Sequence, residues 1–182
     1  MKRIVTAPRT VSMTGPEFSH AQGAIPISLC LGSIFLHPGQ THVSGEPVIL
    51  KMILGSCLGV FLFDPAKQIG GATHFMLPRW EGNGEPSARF GDVAMRILLR
   101  ELHAAGCKSS NLQAKVYGGA CMFQAFRSAG GDHFGRHNVE AAEAILSKAA
   151  IRVVEQDVLG DSGRKVSMIS NTGEISLARI GG

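Results

Sequence analysis

Two side chains in this sequence could perform chemistry together. Cys57 lies in an apolar run, Ile53-Leu54-Gly55-Ser56-Cys57-Leu58-Gly59-Val60, and His74 sits inside a second one, Gly70-Gly71-Ala72-Thr73-His74-Phe75-Met76-Leu77. A cysteine becomes a strong nucleophile near neutral pH when its thiolate is stabilised, and a neighbouring imidazolium does so directly. Two short strands joined by a turn would bring such a pair together. The glycines around Cys57 leave room for a substrate carbonyl and for backbone N–H groups aimed at it. Cys57 and His74 are therefore candidates for nucleophile and base in acyl transfer. Gly55, Ser56, Leu58 and Thr73 are the positions that would shape the site. The same residues admit a plainer reading, since cysteine packs as a small hydrophobe and a strand histidine can be satisfied by a core carbonyl.

The elements that must position this pair can be read from periodicity. Ile27 to Leu36, Val48 to Leu54 and Leu58 to Phe63 read as strands, with Pro38-Gly39-Gln40 a turn and the chain bending at Gly55-Ser56. Ser87 to Ala105 has helical spacing, with Phe90, Ala94, Ile97, Leu98 and Leu102 on one stripe and Gly106 as a stop. Arg79 to Pro86, before it, reads as an exposed loop, and Trp80 reads as a lid on the core ahead of the alternative, an anchor for a partner. Gln113 to Tyr117 is a strand ending in Gly118-Gly119-Ala120, where missing side chains permit a close approach. Asn138 is placed as the cap of a helix over Val139 to Ala149. Ile151 to Val158, Lys165 to Ser170 and Ile175 to Ile180 read as strands, with Asn171-Thr172-Gly173 a hairpin turn. Strands outnumber helices without regular alternation, so an α+β layered fold is expected rather than a doubly wound sheet.

The whole chain sets limits on function. At 182 residues with 45% hydrophobic and 18% charged content, it is long enough to bury a core and too apolar to be disordered. Residues 1–23 read as a mobile leader and 24–182 as one domain. The net charge of +4 is spread over scattered Lys and Arg, which argues against nucleic acid and for a weak attraction to acidic protein surfaces. The four cysteines show no CxxC pair or compact spacing, which points to reduced thiols in the cytoplasm and against structural zinc. The apolar stretch Ala24 to Leu36 is too short to span a bilayer and is interrupted by Pro26 and Gly32, so no membrane insertion is expected.

Several ordered motifs together resemble the chemoreceptor glutamine deamidase family, CheD. They are Leu54-Gly55-Ser56-Cys57, Gly71-Ala72-Thr73-His74-Phe75-Met76-Leu77-Pro78, Ala114-Lys115-Val116-Tyr117-Gly118-Gly119-Ala120 and Gly135-Arg136-His137-Asn138-Val139. Asp157-Val158 and Gly163-Arg164-Lys165-Val166 continue the likeness, which spans Val48 to Ile180. The resemblance implies a cysteine hydrolase on a β-sandwich flanked by helices, with Cys57 as nucleophile and His74 as its histidine. It implies conversion of receptor glutamines to glutamates without metal or organic cofactor. The implied partners are methyl-accepting chemotaxis receptors and a CheC-type phosphatase.

Two positions depart from the family pattern. The family's third catalytic residue is a threonine upstream of the cysteine, where this chain has Lys51-Met52-Ile53. A lysine ammonium only donates, so it cannot accept a hydrogen bond from an imidazole. Ser56, Thr73 or a backbone carbonyl is left for that role. The second departure is Leu159, where glycine is expected. These departures leave open a weak or inactive adaptor that binds receptors or the phosphatase, and Cys–His logic alone also fits a peptidase-like thiol hydrolase.

Overall fold

A computed structural model describes residues 31–121 and 134–181. The expected leader, residues 1–23, lies outside the described residues, as do residues 27–30 of the strand expected over Ile27 to Leu36; within the described part the strand is Ser33–Phe35. The described residues form two mixed sheets and two α-helices.

The first sheet runs in the order β1 (Ser33–Phe35), β3 (Ile49–Leu54), β8 (Gly163–Ile169), β9 (Ile175–Ile180). Its β1–β3 pair is parallel and the other pairs are antiparallel. The second sheet runs β2 (Gln40–Ser44), β5 (Ile69–Phe75), β4 (Leu58–Asp64), β6 (Gln113–Gly118), β7 (Arg152–Val158). Here only β6–β7 is parallel. The helix α2 (Phe134–Lys148) lies in the connection between those two strands, as a parallel crossover requires.

The strand β4 explains the layering. Its sequence is apolar almost throughout and every residue is buried, the pattern of a strand covered on both faces. Leu58, Val60 and Leu62 pack with Ala94, Met95, Leu98 and Leu102 of α1 (Gly91–Ala104) and with Val139, Ala142 and Leu146 of α2. Phe61 points the other way, into a cluster with Leu50, Met52 and Leu54 of β3, Tyr117 of β6, and Val166 and Met168 of β8. The result is three layers: helices, the five-stranded sheet and the four-stranded sheet. Among the described residues no helix is long and apolar enough to cross a membrane.

Several local expectations are corrected. α1 begins at Gly91, not Ser87, because the preceding backbone is engaged elsewhere: Arg89 O accepts from Met76 N and Leu77 N, and Gly91 N donates to Leu77 O. α2 begins at Phe134, so Asn138 is a buried residue inside the helix and not its cap. Trp80 belongs to neither core cluster and is half-exposed, its Nε1 donating to Asn83 O at 3.1 Å. The strand β2 carries little apolar content and had no strand signal of its own; β5 recruits it by antiparallel pairing.

The Asn171-Thr172-Gly173 turn joins β8 to β9 as its sequence suggests, and Gly173 adopts φ +70 with a Cβ position only 2.5 Å from the Phe63 ring. Gly173→Ala is therefore expected to cost about 2 kcal/mol or more, combining left-handed strain with a forced ring shift. Gly82→Ala, at φ +87 but facing open space, should cost only the conformational part, about 1 kcal/mol. Urea midpoints of the two variants against the parent check the difference.

Candidate active site

The β4–β5 ladder pairs Gly59 with His74 and Leu58 with Phe75. Cys57 lies in the bend immediately before β4. Ala72, two residues before His74 on β5, belongs to the inter-sheet cluster, so His74 is turned to the same side, the side against which Cys57 packs. Cys57 is half-buried there. Gly59, opposite His74 on that face, leaves no room for a side chain, because a Cβ there would collide with Met52 Sδ.

His74 is 2% exposed and its ring is fixed at one edge. Its Nδ1 donates to Leu36 O at 2.9 Å. A carbonyl can only accept, so the proton sits on Nδ1 and Nε2 carries the lone pair. Nε2 is buried and has no hydrogen-bond partner among the described residues. The Leu36 backbone is itself anchored, since Leu36 N donates to Lys51 O at 2.8 Å and Gly39 N to His74 O at 2.7 Å. Lys51 lies on β3 between Leu50 and Met52, both of which face the sheet interior, so its side chain points to the outer face and away from the imidazole. Of the three orienting groups considered from sequence, a backbone carbonyl holds the ring. Thr73, one residue away on the opposite face, bonds Thr41 Oγ1 at 2.8 Å and Gln40 O at 3.3 Å.

The segment Gly55-Ser56-Cys57 links β3 to β4, and all three of its carbonyls are taken from within the protein. Gly55 O accepts from Ala120 N at 2.8 Å, Cys57 O from Gly119 N at 2.8 Å, and Ser56 O from Asn138 Nδ2 at 3.2 Å. In a trans peptide the C=O of one residue and the N–H of the next point in opposite directions. No cis peptide occurs among the described residues, so the N–H groups of Ser56 and Cys57 are turned away from Ala120 and Asn138. Gly118 and Gly119 make the approach possible. At Gly118, φ +108, a Cβ would strike the Cys57 carbonyl; at Gly119, φ +68, it would lie 2.8 Å from Gly135 O. Leu58 begins β4 and is buried in the helix-side core, so its side chain does not face the thiol.

The segment after β7 closes the same region. Leu159 N donates to Gly118 O at 2.9 Å, and Leu159 adopts φ +63, the left-handed conformation for which glycine is expected. Buried Arg164 fastens it, bonding Leu159 O at 2.7 Å and Asp157 Oδ1 at 2.7 Å. Burial raises the Asp157 pKa, but its bonds to Arg164 and Arg179 outweigh this and hold the carboxyl below its ordinary value.

Burial pushes the Cys57 thiol above its ordinary 9.0, partly offset by its own backbone N–H. Burial likewise pushes His74 below 6.5, with the Leu36 carbonyl opposing and His37 adding to the depression. The resting site therefore holds a neutral thiol and a neutral imidazole, not the preformed ion pair that the sequence invites. Such an arrangement can take a proton from sulfur to Nε2 when a substrate carbonyl is attacked. No group of three or more His, Cys, Asp or Glu among the described residues is placed to hold a metal ion.

Sequence reasoning missed two contributors. The Leu36 carbonyl had no signal, being backbone. Asn138 had one: a polar residue on the inward stripe of a helix, in the Gly135-Arg136-His137-Asn138 motif.

Comparison with known proteins agrees with this reading of the motifs. The family model described as CheD chemotactic sensory transduction matches residues 76–179. A probable chemoreceptor glutamine deamidase CheD of Trichlorobacter lovleyi is 40% identical, covering 80% of this chain and 89% of that protein. Probable chemoreceptor glutamine deamidase CheD 1 of Anaeromyxobacter dehalogenans is 39% identical over 87% of this chain and 91% of its own length. The probable deamidase of Sulfurimonas denitrificans is 36% identical over 80% and 93%. With matches of this extent, the chain belongs to the CheD family.

Proposed function

We propose that this protein is a chemoreceptor glutamine deamidase that hydrolyses receptor glutamine side chains to glutamate and ammonia. The observation that carries the reading is the tautomer of His74: the Leu36 carbonyl holds its Nδ1 proton and leaves Nε2 a free base on the face shared with Cys57. His74 Nε2 accepts the thiol proton as Cys57 sulfur attacks the carboxamide carbon, forming a tetrahedral oxyanion. The Ser56 and Cys57 N–H groups, turned away from the groups that bind the loop's carbonyls, are the donors for that charge. His74 returns the proton to the leaving nitrogen, ammonia departs, and a thioester remains. Water deprotonated by His74 then hydrolyses the thioester, releasing glutamate and restoring the thiol. The absence of a thiol–imidazole hydrogen bond in the free protein is compatible with this cycle, because such contacts commonly tighten only around substrate.

Each turnover places a carboxylate where a neutral amide stood, which changes repulsion between neighbouring receptor helices and creates a site for methyl esterification. Family membership supports receptors as partners; a cytoplasmic setting and a CheC-type phosphatase as second partner belong to the same proposal. The adaptor reading arose from Lys51. The Leu36 carbonyl on His74 Nδ1 supports the catalytic reading over the adaptor one, because it supplies an orienting acceptor that Lys51 cannot.

Incubation with a receptor cytoplasmic fragment should release ammonia and convert glutamine to glutamate by mass spectrometry, with Cys57→Ala reducing the rate by about 10³-fold or more. Binding without conversion would instead identify an adaptor, and backbone cleavage a peptidase.

The pH dependence follows from the lowered His74 pKa. Activity requires the neutral ring, so kcat/KM should rise through a pKa below 6.5 and stay level to about pH 8. A working thiolate–imidazolium pair would lose activity as the imidazolium titrates on the alkaline side.

Stability carries the matching sign. The unfolded chain binds the His74 proton first, at about 6.5, so this residue's contribution is full above that pH and is lost as pH falls toward the lowered folded value. The urea midpoint should drop between about pH 7.5 and 5.5, and drop less in His74→Gln.

A further inference from the structure

Asn138 is an expensive residue in its position. It lies inside α2, where asparagine is a weaker helix former than alanine, and it is completely buried. Its Oδ1 is buried with no hydrogen-bond partner among the described residues. An amide retained mainly for stability would be expected to satisfy both of its ends. The Nδ2 end, by contrast, is fully used: it donates to Ser56 O at 3.2 Å and to Met76 O at 3.0 Å. Two carbonyls facing one side chain require its N–H2, so the assignment of nitrogen and oxygen is forced. The close packing of Gly119 against Gly135 and Val139 brings α2 near enough for this reach.

The two acceptors lie on the two chain segments that matter. Ser56 precedes the nucleophile, and Met76 follows His74 by two residues, just past the end of β5. Of the nucleophile loop's three carbonyls, Gly55 O and Cys57 O are held by backbone N–H groups, and Ser56 O alone is held by a side chain. The Ser56 carbonyl and the Cys57 N–H belong to one rigid peptide plane, so fixing the first aims the second.

We infer that Asn138 is a positioning residue that acts through the Ser56–Cys57 peptide, holding the Cys57 N–H toward the oxyanion formed at this cysteine. The role deepens the deamidase reading and rests on Cys57 as its nucleophile. Without the two N–H donors the peptide is free to turn, and the donor is lost at the step that develops negative charge. Thiol attack that develops no oxyanion does not need it.

This difference supplies the test. p-Nitrophenyl acetate acylates the thiol through a tetrahedral oxyanion and expels p-nitrophenolate, whereas iodoacetamide alkylates sulfur by direct displacement of iodide. Both rates are measured at Cys57, with Cys57→Ala as background, in the parent, in Asn138→Leu, which keeps bulk without donors, and in Asn138→Ser, which keeps one donor. Gly173→Ala serves as a destabilised control remote from the site. The expected result for Asn138→Leu is a loss of about 10- to 100-fold in acylation and in receptor-fragment kcat, with alkylation within about twofold of the parent. Asn138→Ser should fall between the two, and it carries the test if Asn138→Leu does not fold. Acylation at parental rate, or acylation and alkylation falling together, would overturn the role. A parent that leaves receptor glutamines unconverted refutes the deamidase reading while the acylation comparison still decides the role of Asn138.

Discussion

The hydrogen bond from His74 Nδ1 to the Leu36 carbonyl, 2.9 Å long and buried, decides what the imidazole can do. A carboxylate in that place would raise the basicity of the ring and favour an ion pair with the thiol. A carbonyl fixes the tautomer while adding only partial charge, so burial dominates and the ring stays neutral. In the proposed cycle, activation of the thiol then depends on the substrate's arrival. A neutral thiol with a pKa raised by burial is also less open to adventitious oxidation than a standing thiolate.

The nucleophile loop obeys a second constraint, the close approach of backbones. Gly118 and Gly119 carry positive φ and have no space for a Cβ, and they hold the loop by their nearness to Cys57 and α2. β3 and β8 supply the other wall, with Leu54 paired to Arg164 and Arg164 reaching the turn after β7. Leu159 accepts left-handed strain of about 1–2 kcal/mol there while its N–H and C=O are both bound, which is how a bulky residue persists where glycine fits more easily.

Much of this was legible in the sequence because burial writes a pattern. The continuous apolar run of β4, the stripe of α1 and the turn at Asn171-Thr172-Gly173 follow from period and turn chemistry. Gly118-Gly119 announced a close approach but not its partner. What periodicity could not supply was whatever long-range backbone contacts decide: β2, recruited by pairing with β5; the start of α1, delayed because Arg89 O serves Met76 and Leu77; and the carbonyl that orients His74. Asn138 was misplaced as a cap because an asparagine before an apolar helical stretch has that signature, and only burial reveals the other use. Strand alternation places the Lys51 side chain on the outer face of β3, which the local motif alone did not reveal.

The partners that fasten the nucleophile loop come from far along the chain: Ser56 O is held by a side chain 82 residues later. Synthesis proceeds from the N-terminus, so a nascent chain displays its reactive sulfur well before α2 has left the ribosome. Until that helix docks, the cysteine is an ordinary thiol on an unfastened segment. The final geometry of this loop is thus completed late in biogenesis, only after α2 has emerged.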